Sequence, residues 1–263
     1  ETWNIDTKSL QKKLIESKKK NRLPKVLIPV HFAGQATDQR EIWKLSKKFN
    51  FKIIEDASHS FGAKYFGERV GSCKWSHITV FSFHPTKIIT TGEGGAATTN
   101  EKKLAEKMKL FRTNGIIKDP KLFSKKNKLS PWYYEHRENG FNYRMNDMSA
   151  ALGLSQLSRV DMFVKKRNSI AKNYFKLFKD LPIVFKKINK HNLSTYHLLV
   201  VKFNLKKFKY SYQDMFNKLR SKNFYVNLHY MPLHLSPYFK TNNLYKCACL
   251  LMSRGIIVYY LFY

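Results

Sequence analysis

Cysteine is scarce in this chain, with 3 among 263 residues. Cys73, Cys247 and Cys249 form an odd set with no Cys-x-x-Cys spacing, which supports neither a disulfide framework nor a zinc site. A reducing cytoplasm fits that count. Glycine (11) and proline (8) are too few for collagen-like or low-complexity sequence. Long apolar runs are missing as well, so no membrane-spanning helix is expected. Acidic residues are few, 18 against 49 Lys and Arg, which leaves a formal charge of +31. A field of that sign attracts nucleic acid, anionic lipid or phosphorylated substrates. The lysines, however, are spread along the chain, with only short clusters such as Lys18-Lys19-Lys20. Biased coding composition is therefore the preferred reading, and no specific nucleic-acid partner is expected.

What is present is a core. Apolar residues make up 43% and aromatics 15% of the chain, which excludes global disorder. Residues 7–20 read as a helix on Leu10, Leu14 and Ile15. Val26–His31 reads as a buried strand, and Thr37 and Asp38 cap a helix on Ile42, Leu45 and Phe49. Phe51–Glu55 is a second buried strand, which makes a βαβ unit with parallel strands. A hairpin at 64–70 turns at Gly67. Ile78–Phe83 is a third strand, Thr90–Gly95 a Gly-rich loop, 96–99 a short strand and 101–111 a helix. Residues 118–139 read as a loop broken by Pro120 and Pro131. Helical periodicity from 146 to 181 predicts two consecutive helices. A strand at 196–203, a helix at 212–222 and a strand at 225–230 follow. A domain division near residue 160 is expected, with 1–160 a large domain and 161–263 a small C-terminal one.

Single residues carry weak chemical signals. Lys87 ends an apolar strand beside glycines, where desolvation would lower its pKa and supply the neutral amine of Schiff-base chemistry. The competing reading is one surface lysine among 39. Asp56 sits at the carboxyl end of its strand, where α/β sheets place ligands, and could hold a pyridine nitrogen protonated. Its alternative is a turn residue. Ser82, Thr86 and the amides of Gly92–Gly95 could donate to a phosphate.

Taken in order, the motifs say more. Glu55-Asp-Ala-Ser-His-Ser60, Phe81-Ser-Phe-His-Pro-Thr-Lys87, Thr90-Thr-Gly-Glu-Gly-Gly-Ala96, Gly140-Phe-Asn-Tyr-Arg-Met-Asn146 and His229-Tyr-Met-Pro-Leu-His-Leu-Ser-Pro237 resemble the DegT/StrS nucleotide-sugar aminotransferases. The segments 29–35 and 229–234 look like the subgroup of pseudaminic acid synthesis. The resemblance implies a pyridoxal-phosphate (PLP)-dependent, aspartate-aminotransferase-like fold (fold type I): a large α/β domain with a mixed, mostly parallel sheet and a small α+β domain. It implies amino transfer from L-glutamate to a UDP-linked 4-keto-6-deoxy sugar in the cytoplasm.

It also implies roles. Lys87 would carry the covalent link to PLP and shuttle protons at the reacting carbon. Asp56 would pair with the pyridine nitrogen, His59 would sit beside the phenolic oxygen, and Ser82 would contact the phosphate. Asn142 would reach the partner subunit's cofactor, which implies a homodimer. Relatives with His in place of Lys87 are dehydratases, so Lys87 points to transamination. His31, Arg144, His229 and His234 are candidate substrate contacts. Each has a structural alternative, a packed histidine or a surface ion pair. No metal is expected.

Departures from the family pattern set further expectations. The start at Glu1-Thr-Trp aligns inside the large domain, after the segment that carries a phosphate-cradling turn. The chain therefore reads as an N-terminally truncated fragment that alone binds cofactor poorly. Ser253–Tyr263 departs from the family's closing stretch, and the uncharged run Ile256–Tyr263 is an aggregation hazard if exposed. Asn114 stands where relatives carry His. The alternatives kept open are a different nucleotide keto-sugar, an inactive fragment and a basic binding protein.

Overall fold

The computed structural model describes residues 2–124, 130–204, 207, 210–228, 236–238 and 256–260; for Leu228 and 256–260 the backbone alone is described. Helix α1 (Thr7–Lys19) starts on Asp6, whose carboxylate accepts the Ser9 N–H at 2.7 Å. It packs with α2 (Gln39–Phe49). Leu14, Ile42, Leu45 and Phe49 meet Phe51 and Ile53 in one buried cluster. Asp38 stands at the N-cap of α2 as expected, but it makes no capping bond. Its carboxylate instead accepts from the Tyr65 hydroxyl, a tertiary bond that outcompetes the local one.

Three parallel strands and one antiparallel strand form the main sheet, in the order β1 (Val26–Leu27), β2 (Lys52–Asp56), β5 (Ile78–Ser82) and β6 (Gly95–Thr98). The apolar run 26–31 is thus not a buried strand. Only two of its residues are regular, and Val26, Ile28 and Val30 are exposed because β1 is an edge with one open face. Strands β3 (Lys64–Tyr65) and β4 (Glu68–Arg69) form the expected hairpin. Phe66 and Gly67 both take positive φ at its tip, the backbone of a two-residue hairpin turn.

The segment 118–139, expected as a loop, contributes β8 (Glu135–His136), which pairs in a short ribbon with β7 (Ile116–Ile117) just before it. Glu135 organises it. Its carboxylate accepts from the backbone and hydroxyl of Ser124 and pairs with Arg137 at 2.7 Å. Helix α3 (Lys102–Arg112) precedes this ribbon.

The two expected consecutive helices are α4 (Asp147–Leu157) and α5 (Val160–Leu177). Their apolar periodicity is used differently. Val160, Val164 and Ala171 of α5 are buried, the first two against the main sheet and Ala171 against the small one. Helix α4 buries nothing among the described residues, and Met148, Leu154 and Leu157 are exposed.

The small sheet is antiparallel, ordered β12 (Val226–Leu228), β13 (Ile256–Tyr260), β11 (Leu198–Phe203), β9 (Ile183–Phe185). Helix α6 (Tyr212–Ser221) opens on a Ser211–Asp214 capping box. Of the uncharged run 256–263 expected to be a hazard, Ile256–Tyr260 is β13, whose backbone is paired on both edges, and residues 261–263 lie outside the described residues. Along β11 the side chains alternate. Leu198 and Val200 pack on a tight turn at Phe32–Gly34, while Leu199 and Val201 face α5.

Gly34 joins that turn to the small sheet at φ +99°, and a Cβ there would lie 2.8 Å from the Tyr196 nitrogen. Gly34→Ala is expected to cost about 3 kcal/mol by denaturant unfolding, combining left-handed strain with overpacking. A loss under about 0.5 kcal/mol would show that the turn relaxes freely. Among the described residues no helix is long and apolar enough to cross a membrane.

Candidate active site

The site grows from the period of β2. Ile53 and Glu55 point inward and are buried, so Asp56, one residue on, turns to the other face. Its backbone is pinned on both sides: the Asp56 N–H donates to Pro29 C=O at 3.0 Å, and the His31 N–H donates to Asp56 C=O at 2.9 Å. The Asp56 Oδ1 accepts the Ser58 N–H at 3.0 Å, which orients the carboxylate.

Asp56, Ser58, His59 and Lys87 converge on one cleft of about 580 Å³, walled by Val30 and Phe32. The cleft lies beyond the carboxyl ends of the parallel strands, the usual ligand position in such sheets. Lys87 is half-buried after β5, its N–H bonded to His84 C=O at 2.9 Å. Burial pushes its amine below the ordinary lysine range, and the nearby Asp56 charge opposes that shift. His59 is buried, and its Nδ1 accepts the Ala33 N–H at 3.3 Å. In the neutral ring the proton then sits on Nε2.

Behind the cleft, Glu55 is almost fully buried. It accepts from Gln39 Nε2, from Thr79 Oγ1 at 2.7 Å and from Ser76 Oγ at 3.1 Å. His31 Nε2 stands 3.6 Å away. Burial acts to raise the Glu55 pKa, but His31, Gln39 and Thr79 outweigh it and hold the carboxyl below its ordinary range.

The other expected site residues are placed differently. His31 is fully buried in the Glu55 network, with Nδ1 accepting the Thr37 N–H at 3.1 Å, so it supports the frame and is not on the cleft wall. Ser82 ends β5 half-buried, its oxygen accepting the His84 N–H at 3.4 Å, and does not line the cleft. The Gly92 N–H, expected to be available to an anion, already donates to Thr90 Oγ1 at 2.9 Å. Asn142 and Arg144 are exposed beyond α3, where Asn142 bridges Thr113. His229 and His234 lie outside the described residues. Among the described residues no group of three or more His, Cys, Asp or Glu is placed to hold a metal ion.

Two participants do not stand out in the sequence. Glu55 lies inside the motif that carries Asp56, although an acid at an inward position of an apolar strand is itself a signal. Lys186 is buried and donates to Phe32 C=O. Nothing in the sequence separates it from the other lysines.

A desolvated amine, an anchored carboxylate and an imidazole in one cleft suit an aldehyde, a pyridine nitrogen and a phenolic oxygen, the three functional groups of PLP. The mixed, mostly parallel sheet that carries them has the aspartate-aminotransferase-like fold of PLP-dependent enzymes. The chain belongs to the DegT/DnrJ/EryC1/StrS aminotransferase family, whose profile matches residues 1–257. It is 36% identical over 247 residues to an uncharacterized protein of Methanocaldococcus jannaschii, covering 94% of this chain and 61% of that one. It is 36% identical over 238 residues to the UDP-4-amino-4,6-dideoxy-N-acetyl-beta-L-altrosamine transaminase of Campylobacter jejuni, covering 90% and 59%. Among solved structures it resembles Helicobacter pylori PseC, an aminotransferase involved in the biosynthesis of pseudoaminic acid. That match has a TM-score of 0.85 and 30% identity, over 97% of this chain and 65% of that one. The chain thus spans about three fifths of the length of the curated relatives it matches.

Proposed function

We propose that this chain serves PLP-dependent transfer of an amino group from L-glutamate to a UDP-linked 4-keto-6-deoxy amino sugar, in pseudaminic acid biosynthesis in the cytoplasm. The observation that carries this reading is the meeting of Lys87, Asp56 and His59 in one cleft. The likeness to the Campylobacter transaminase supports the choice of sugar. Residues 1–160 make up the PLP-binding part in this reading, and 161–263 the smaller part.

PLP, when bound, supplies the electron sink and carries the amino group between the two substrates. Lys87 holds it covalently through its neutral amine, which desolvation favours, and then moves the proton at the reacting carbon. Asp56 keeps the pyridine nitrogen protonated; its pinned backbone and Oδ1 bond limit the reorganisation this requires. His59 offers Nε2–H to the phenolic oxygen. Phe32, buried, lines one wall with an apolar ring.

The same reading includes a homodimer. Helix α4 exposes Met148, Leu152, Leu154 and Leu157, and the adjoining segment exposes Phe141 and Tyr143. An apolar surface of that kind suits a partner subunit, to whose cofactor Asn142 would reach.

The test is reductive trapping. The chain is incubated with stoichiometric PLP, reduced with borohydride and digested, and the label is located by peptide mass. Lys87 is expected to carry it. A folded chain, by circular dichroism, whose Lys87 is labelled no more than its other lysines even when PLP is raised to saturation, to offset the poor binding expected of this chain alone, would sink the reading. A panel of UDP- and GDP-linked keto sugars with glutamate then tests the substrate; amination of a different sugar alone would replace the UDP-sugar assignment.

A further inference from the structure

We infer that Lys186 is a positioning residue of the cleft, acting through a single peptide group to hold His59 in one tautomer. The group is the Phe32–Ala33 peptide. Its oxygen accepts from Lys186 Nζ, and its N–H donates to His59 Nδ1 at 3.3 Å. The two contacts thus grip opposite ends of one rigid amide plane. A donor on the carbonyl polarises the amide and strengthens donation from its N–H. That keeps His59 Nδ1 an acceptor and leaves the ring proton on Nε2.

Three further observations support the assignment. The first is the cost of the arrangement. Lys186 follows β9, is 7% exposed, and lies 5.2 Å from the Phe32 ring centroid. Burial alone pushes its amine down to about 7, with no charged neighbour contributing among the described residues. A buried lysine without a carboxylate is destabilising relative to an apolar side chain of similar length, so it is not there for stability.

The second is strain in the turn it holds. Ala33 sits at φ +57° and Gly34 at φ +99°. Such a turn persists only when its surroundings determine it. The other backbone ties of residues 32–34 are the Phe32 N–H to Asn4 Oδ1 at 3.1 Å, the Gly34 N–H to His31 C=O at 3.4 Å, the Gln35 N–H to Phe32 C=O at 3.3 Å and the Thr195 N–H to Gly34 C=O at 2.9 Å. None of these reaches the Ala33 N–H.

The third is location. Phe32 and His59 both line the cleft, whereas Lys186 comes from the small sheet. The small sheet therefore sets a side chain of the cleft through this peptide.

The experiment compares the wild-type chain with Lys186→Met by nitrogen NMR of the histidine side chains, with His59 assigned through His59→Gln. In the wild type the His59 signals should show acceptor character at Nδ1. In Lys186→Met they should move toward a mixture of tautomers. The melting temperature at pH 7 should hold or rise, because a buried amine has been removed. Unchanged His59 signals in Lys186→Met overturn the inference. So does a fall in melting temperature without a tautomer change, which would mark a purely structural residue. If Lys186→Met does not fold, Lys186→Leu, which also removes the donor to the Phe32 carbonyl, takes the same readout, and the same two results overturn the inference. This role in catalysis rests on the proposed PLP site. Where Lys87 is trapped in the wild type, Lys186→Met should slow trapping about tenfold. Absence of trapping in the wild type would sink the proposed function, while the tautomer measurement, made without cofactor, would still decide the inference.

Discussion

Lys87→Ala is expected to lose all site-specific capture of PLP and at least about 10³-fold in amino transfer. The reasoning starts from burial. Lys87 is half-buried in the cleft, and desolvation lowers its amine while Asp56 opposes the shift. At pH 8 a larger fraction of Lys87 than of an exposed lysine is therefore the neutral, nucleophilic amine. Selectivity over the other 38 lysines follows from that fraction and from the cleft that orients the aldehyde. Labelling of Lys87 should exceed that of surface lysines most at pH 7–8 and lose its advantage as the pH approaches the ordinary lysine range. Lys87→Arg separates charge from nucleophilicity. It keeps the cation beside Asp56 and should still fail, because a guanidinium forms no stable imine. Retained activity in either variant would remove Lys87 from the chemistry. The measurement is peptide mapping after borohydride, together with turnover of glutamate and keto sugar.

Glu55→Ala is expected to lower stability by roughly 3–5 kcal/mol, the range seen when one member of a buried charged network is removed. The loss comes from what remains. Gln39, Ser76, Thr79 and His31 keep polar atoms that pointed at Glu55, and burial as deep as that of Glu55, 1% exposed, keeps bulk water from replacing the lost partner. At about 2–4 °C per kcal/mol for a chain of this size, the melting temperature should fall by roughly 10 °C. The pH dependence has a definite sign. The native pKa of Glu55 is depressed, so its contribution is fully present above the ordinary value of 4.5 and is lost as the pH falls through the lower native value. The gap between wild type and Glu55→Ala should therefore narrow progressively as the pH falls below 4.5. A constant gap between them at all pH values would refute the assignment of charge to Glu55. Because Asp56 adjoins Glu55 on β2, the variant should also weaken PLP capture.

The elements around the site were readable because they follow from local rules. The apolar run 51–55 reads as a buried strand that ends at Asp56, although the inward place of Glu55 emerges only from the structure. The hairpin at 64–70 follows from Gly67, and the helix at 39–49 from the spacing of Ile42, Leu45 and Phe49. Other features were not readable, because the deciding contact is distant in the chain or depends on the local backbone. Asp38 has the right residue type for a cap, yet Tyr65 takes its carboxylate. The Gly92 amide is taken by Thr90. The apolar period of 146–181 does not distinguish α5, which is buried, from α4, which is exposed, since the same pattern serves a core or a partner surface.

The sequence by itself determined the strand–helix–strand order and the order of the motifs that mark the family, and through the resemblance those motifs carry it made Lys87 and Asp56 the candidate reactive pair. These depend on side-chain period and on motifs within a few residues of one another. Tertiary structure alone decided that His31 belongs to the buried frame, that Ile256–Tyr260 is an interior strand, and that Lys186 grips the peptide whose other end binds His59. Lys186 and Phe32 are separated by 154 residues. Their contact depends on how the small sheet docks on the turn, which no local pattern encodes, and among 39 chemically identical lysines only burial distinguishes the one that matters.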